Sequence, residues 1–139
     1  DSWASRGLGD VYKRQGVVFI DNKEIIIADI PGLIEGAHSG SGLGDKFLKH
    51  IERCKSIIHM IDINEEDLVD KYKIIRNELK EFNPELIKKR ELIVFNKIDL
   101  IDEKEKKEKI MNFTKKIKKK VYDISVEKNI NVKNLLRAI

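Results

Sequence analysis

Apolar residues in this chain fall into short unbroken runs that alternate with longer stretches of helical period. Val17 to Ile20 is one run, Asp21-Asn22-Lys23 a tight polar turn, and Glu24 to Ala28 a second run; together they predict a β-hairpin. Ser56 to Ile61, closed by Asp62, and Leu92 to Phe95, closed by Asn96, are further runs. Their apolarity is continuous rather than alternating, so both strand faces must be covered, as in a mostly parallel sheet enclosed by helices. Between them Leu68, Tyr72, Ile75, Leu79 and Phe82 recur at helical spacing and predict a long amphipathic helix that Asn83-Pro84 ends. Ile110, Phe113 and Ile117 mark a lysine-rich helix, Val121 to Ile124 a last short strand ending at Ser125, and Val132, Leu135, Leu136 and Ile139 a final helix. Strands alternating with helices imply right-handed crossovers and an open α/β sheet that binds ligands beyond the carboxyl ends of its strands.

Three polar motifs stand at such ends. Asp29 opens the stretch DIPGLIEGAHSGSGLGDKFLKHIER directly after the run Ile25-Ile26-Ile27-Ala28. A carboxylate and a Pro-Gly pair at a strand end suit a loop that senses a terminal phosphate and its metal, since a bare glycine N–H can approach an anion. Taken alone, Asp-x-x-Gly is also an ordinary strand-to-helix turn. Gly36, Gly40, Gly42 and Gly44 follow in a loop able to change shape, and Phe47, Leu48, Ile51 and Cys54 place a helix after it. Sixty-seven positions beyond Asp29 comes Asn96-Lys97-Ile98-Asp99, and further on Ser125. The predicted sheet puts all three motifs on one rim.

The pieces DIPGLIEGA, GSGLG and FLKHIERC, together with NKID, closely resemble the second switch and the base-reading loop of the Obg family of bacterial ribosome-assembly GTPases. The resemblance covers about Gly16 to Ile139 and implies a truncated P-loop GTPase G domain: an α/β fold with a mostly parallel sheet flanked by helices and its first strand missing. Residues 16–139 are then a partial G domain. Residues 1–15, DSWASRGLGDVYKRQ, have no periodicity and lie outside it, and are expected to be an unstructured or artefactual stretch. Gly7-Leu8-Gly9 is not followed by Gly-Lys-Ser or Gly-Lys-Thr, so the phosphate-binding loop and the first switch of the family are absent from these residues. The missing strand belongs between those ending at Asp29 and Asp62, and its loss is expected to leave two edges unpaired.

Chemistry then suggests a role for each position. Asp29 would hold Mg²⁺ through water, and Asp29, Pro31 and Gly32 would form the turn whose Gly32 N–H meets the γ-phosphate. Asp99 offers two acceptors that match the N1–H and N2–H₂ donors of guanine, a pair that adenine lacks. Asn96 can bond N7 and the neighbouring loop backbone, and the stem of Lys97 can lie over the ring. By resemblance Ser125-Val126 is the last GTPase motif, with the Val126 N–H toward the guanine O6; the family more often has Ser-Ala there. Leu33 stands where many small GTPases carry a water-positioning glutamine, which implies slow intrinsic hydrolysis. Glu35, His38 and His50 suit switch-loop or helix-surface roles, and no residue is assigned as catalytic.

With 41% apolar residues in 139, the chain suits one domain with one core. Its net charge of +4 comes from its last part, where residues 101–139 hold 12 basic and 6 acidic side chains. RNA could lie against that end, though a solvated helix face is the plainer reading. Cys54, the only cysteine, excludes an internal disulfide, and its apolar helical position argues for packing. His59, inside an apolar run without nearby ligands, reads as a satisfied core imidazole. No run is long enough to span a membrane and no signal peptide is evident, so the expected setting is a cytoplasmic monomer. The function implied is a switch that binds and hydrolyses GTP during assembly of the large ribosomal subunit, with GTP or GDP and Mg²⁺ as ligands and the subunit or its rRNA as partner. Alternatives are an interaction fragment without nucleotide activity, using Asp45 to Cys54 as its surface, and a related GTPase of the YchF or developmentally regulated type.

Overall fold

The computed structural model describes residues 15–28 and 53–139. Strands β1 (Gln15–Ile20) and β2 (Lys23–Ala28) form the antiparallel hairpin expected, in a register that sets Val17 opposite Ile26 and Ile20 opposite Lys23. Its two-residue turn needs positive φ at both positions, which Asp21 (48°) and Asn22 (64°) supply. Asp and Asn tolerate that region better than other residues with a Cβ, and the primed turn matches the twist of the strands.

The second sheet is parallel, in the order β3-β4-β5, with β3 at Ser56–Asp62, β4 at Arg90–Asn96 and β5 at Val121–Asp123. Helix α1 (Leu68–Phe82) crosses from β3 to β4 and α2 (Glu103–Ile117) from β4 to β5, while α3 (Val132–Ala138) follows β5. Among the described residues no ladder joins β2 to β3, the interval assigned to the missing first strand.

β1 opens at Gln15 rather than Val17 and β2 at Lys23 rather than Glu24, so the turn has two residues instead of three, and two further boundaries differ for a backbone reason. β4 begins at Arg90 instead of Leu92 because Ser56 and Ile57 of β3 pair with Arg90 and Glu91. β5 stops at Asp123: the Ile124 N–H still donates to the Phe95 carbonyl at 2.8 Å, but the Ile124 carbonyl turns to accept from the Ile98 N–H at 3.2 Å. That swing ties the end of β5 to the loop after β4.

β4 is the centre of the core. Ile93 and Phe95 face α1 and α2, where they pack with Ile61, Ile63, Leu68, Tyr72 and Phe113; Leu92 and Val94 face α3 with Ile124 and Leu135. Both faces are covered, which accounts for the unbroken apolar run. Phe113 is fully buried and meets Phe95 edge-on at 4.9 Å and Tyr72 at 5.4 Å. Burying such a ring stabilises the fold by roughly 1.5 to 3 kcal/mol. The helices end where the sequence supplies caps. The Asn83 side chain accepts from the Glu85 N–H at 3.1 Å just past α1, and the Asp102 carboxylate accepts from the Lys104 N–H at 2.9 Å at the start of α2.

His59 is buried as expected, stacked on Tyr72 at 5.1 Å, yet it is less satisfied than a core imidazole usually is. Its Nδ1 lies 3.4 Å from Glu91 Oε2, long for a hydrogen bond, and its Nε2 has no hydrogen-bond partner among the described residues. The Glu91 carboxylate is the hub of this cluster, accepting from the Tyr72 hydroxyl at 2.7 Å and facing Arg76 and Lys119 at 3.5 Å each. Cys54 is half-buried, and burial pushes its thiol up despite the opposing charge of Lys89, in keeping with a packing role.

Candidate functional site

The rim at the carboxyl ends of β3, β4 and β5 carries the polar residues that the motifs singled out. β4 delivers Asn96 to its last position, Lys97 turns the chain with φ 68° and ψ 35°, and a short 3₁₀ turn at Ile98–Leu100 carries Asp99. β5 brings Ser125 alongside, where its N–H donates to the Ile130 carbonyl at 3.1 Å and its carbonyl accepts from the Ile130 N–H at 2.9 Å.

Two bonds lock these segments together. The fully buried Ser125 hydroxyl donates to Asp99 Oδ1 at 2.7 Å and accepts from the Lys128 N–H at 3.0 Å. Val126 N–H donates to Asn96 Oδ1 at 3.0 Å. These bonds leave unused groups of defined polarity. With its oxygen engaged, the Asn96 amide keeps its NH₂ donors for a ligand acceptor, while Asp99 keeps Oδ2 and the second lone pair of Oδ1 for ligand donors. Donors from one residue and acceptors from its neighbour three positions on can together pair with the edge of a heterocycle. In this structure the Val126 N–H points to Asn96 rather than outward.

A third segment completes the rim, and sequence reasoning passed over it. Asp62, at the end of β3, accepts from the backbone N–H of Asn64 at 2.9 Å and from its side-chain amide at 3.1 Å, both on Oδ1. Its Oδ2 lies 3.2 Å from the Lys97 ammonium. The backbone N–H of Asn64 is the largest influence holding the Asp62 carboxyl below the usual carboxylate range; the Asn64 amide and Lys97 act the same way, and slight burial opposes them. Asn64 also donates to the Lys97 carbonyl at 3.3 Å. The available signal was the one used for Asp29 and Asn96, a polar residue just past a buried strand.

The structure therefore brings together Asn96, Lys97, Asp99, Ser125 and Val126. Asp29, Pro31 and Gly32 lie outside the described residues, as do Glu35, His38 and His50. Among the described residues no group of three or more His, Cys, Asp or Glu could hold a metal ion, and no helix is long and apolar enough to cross a membrane.

Residues 11–97 match the family described as 50S ribosome-binding GTPase. The chain is 54% identical over 110 residues to GTPase Obg of Pelagibacter ubique, covering 79% of this chain and 34% of that protein. It is 52% identical over 114 residues to GTPase Obg of Ehrlichia chaffeensis, covering 82% and 34%. It thus spans about a third of the length of these relatives. Among solved structures it is similar to Era from Aquifex aeolicus, a tyrosine-to-alanine variant bound to GDP and AlF₄⁻, with TM-score 0.60 and 25% identity over 89% of this chain and 42% of that one. A second Era structure, in complex with MgGDPNP and part of 16S ribosomal RNA, gives TM-score 0.61 at 24% identity with the same coverage.

Proposed function

The chain belongs to the 50S ribosome-binding GTPase family, and on that premise we propose that Asn96, Lys97, Asp99, Ser125 and Val126 form the guanine-reading rim of an Obg-type, GTP-operated switch. Asp99 accepts from the guanine N1–H and N2–H₂, Asn96 donates to N7, and the Lys97 stem covers the ring. The Val126 N–H, shared with Asn96, turns toward O6 when the base arrives. The observation that supports this reading is the 2.7 Å bond from Ser125 to Asp99, which joins loops 26 residues apart and holds in place the carboxylate proposed to meet guanine's donor pair.

In the same reading Asp29 holds Mg²⁺ through water, Pro31 shapes the turn, and the Gly32 N–H meets the γ-phosphate. Hydrolysis in the parent protein is slow, because Leu33 cannot orient water by hydrogen bonding, and is quickened by another group or partner. That partner is the large ribosomal subunit or its rRNA, and the setting is the cytoplasm. The partial G domain is formed by residues 16–139 together with Gln15, the first residue of β1.

Titration with fluorescent GDP, GTP and ADP, with and without Mg²⁺, tests the proposal. Guanine nucleotides should bind and ADP should not, with a Mg²⁺ effect on GTP greater than that on GDP. Equal response to GDP and ADP would contradict it, and no response to any of them would favour an interaction module without nucleotide activity.

A further inference from the structure

Lys97 holds an unusual backbone for its residue type. Among the described residues the non-glycine positions of positive φ are Asp21, Asn22, Asp67, Lys97, Lys118, Asn129 and Asn131. All but the two lysines are Asp or Asn, whose short polar side chains ease the left-handed region. Lys118 has an ordinary reason to be there: it closes α2, with its N–H on the Thr114 carbonyl at 2.8 Å. Lys97 closes no helix. It follows β4 directly, in the middle of the rim, so its conformation must be enforced by its surroundings.

The turn after β3 supplies the enforcement. The Ile63 N–H extends the parallel pairing by donating to the Asn96 carbonyl at 3.1 Å, and the Ile63 side chain is fully buried beneath. Asn64 then makes three donations with two groups. Its backbone N–H and its side-chain amide both go to Asp62 Oδ1, and the amide also reaches the Lys97 carbonyl at 3.3 Å. With Oδ1 occupied, Asp62 presents Oδ2 to the Lys97 ammonium at 3.2 Å. Backbone and side chain of Lys97 are thus gripped from one side by two residues of the same turn. The grip is anchored in turn by Lys109 of α2, which donates to the carbonyls of Ile63 at 2.9 Å and Glu65 at 3.2 Å.

We infer that Asp62 and Asn64 are positioning residues for base recognition: they hold Lys97 in the shape that receives the guanine ring, so the platform stands before any nucleotide arrives. The inference rests on the reading of Asn96 to Asp99 as the base-reading loop. Neither residue touches the ligand. They act through Lys97, whose ammonium is drawn to Asp62 while its aliphatic stem stays over the base position. Without them the loop must be ordered by the ligand, and affinity falls by the population of the competent shape.

Two measurements on the 139-residue chain test this. The first needs no ligand: the amide-to-Hα coupling constant and chemical shifts of Lys97 report its φ, and in Asp62→Ala and Asn64→Ala they should move toward averaged values while those of Lys118 stay put. The second is a double-mutant cycle on GDP affinity, read by amide shifts in titrations up to millimolar GDP. Asp62→Ala should weaken GDP by about tenfold, within the range for coupled neighbours. In a Lys97→Ala background the same change should have almost no effect, because nothing remains to be positioned. An equal loss in both backgrounds would mark Asp62 as a general structural residue and overturn the inference, as would an unaltered Lys97 coupling constant in both variants. A wild-type chain showing no GDP-dependent shift at Asn96 to Asp99 would overturn the base-reading assignment itself and the inference with it, whereas the ligand-free result judges the grip alone.

Discussion

Replacing Ser125 by alanine removes one oxygen and, on this structure, unties two loops. The hydroxyl is fully buried, donates to the Asp99 carboxylate at 2.7 Å and accepts from the Lys128 N–H at 3.0 Å. A hydrogen bond to a charged group contributes about 1.5 to 3 kcal/mol, whereas the Lys128 N–H is on an exposed residue and can take water instead. The expected loss is therefore about 2 kcal/mol, or roughly thirtyfold in the folding equilibrium. With an unfolding entropy of about 2.1 cal/mol/K per residue, that lowers Tm by roughly 7 °C for a chain of 139 residues. Urea denaturation followed by circular dichroism measures it, with the slope against urea unchanged. Repeating the substitution in an Asp99→Asn background isolates the bond: the acceptor is then neutral, and the cost should fall to about 1 kcal/mol. A Ser125→Ala cost below about 0.5 kcal/mol, or the same cost in both backgrounds, would refute the claim that this bond aims Asp99.

Three further outcomes follow from the same geometry. Burial is the largest single influence on the Glu91 carboxyl and raises it, but the neighbouring His59, the Tyr72 hydroxyl and the Arg76 charge together outweigh it and leave it below the usual carboxylate range. Its contribution is then full above the unfolded value and is lost as pH falls through the folded one, so unfolding free energy should drop as pH falls below the ordinary carboxylate range and drop less in Glu91→Gln. Phe113→Ala should cost about 3 to 5 kcal/mol by denaturant titration, since the ring is fully enclosed; a cost under 1 kcal/mol would mean that the core relaxes around the loss. Residues 1–139 contain no Gly-Lys-Ser or Gly-Lys-Thr, and each charge-assisted phosphate bond that such a loop supplies contributes about 1.5 to 3 kcal/mol, or roughly one to two decades of affinity. Isothermal titration with GTP should therefore show weak binding, and micromolar or tighter affinity would refute the reasoning.

How far the sequence could be read depended on whether local pattern or distant pairing decided an element. Helix α1 was legible to the residue, because its apolar stripe from Leu68 to Phe82 runs straight into Asn83-Pro84. β4 was too short in the reading, because Arg90 and Glu91 look like loop; Glu91 is in the strand, its charge absorbed by His59, Tyr72, Arg76 and Lys119, which only folding gathers. Ile124 was assigned to β5 by its apolarity. Its side chain is indeed core, but its carbonyl serves Ile98, and no periodicity reveals that division. That Asn96, Lys97, Asp99, Ser125 and Val126 lie together was legible because they stand in contiguous motifs just past predicted strands. Asp62 and Asn64 were not, since their partner Lys97 lies some 33 residues from Asn64 and becomes a neighbour through the parallel register of β3 on β4.

The central claim is that this rim reads guanine, and base competition tests it most directly. GDP, XDP and ADP are offered to the unaltered chain and to Asp99→Asn, with binding followed at the amides of Asn96 to Asp99 and of Ser125 and Val126. The unaltered chain should prefer GDP over both rivals. In Asp99→Asn one acceptor becomes an NH₂ donor facing the guanine donors, and xanthine, with a carbonyl in place of the exocyclic amine, accepts from it. The variant should therefore prefer XDP. A variant that still prefers GDP over XDP, or an unaltered chain that binds ADP as well as GDP, would contradict the account.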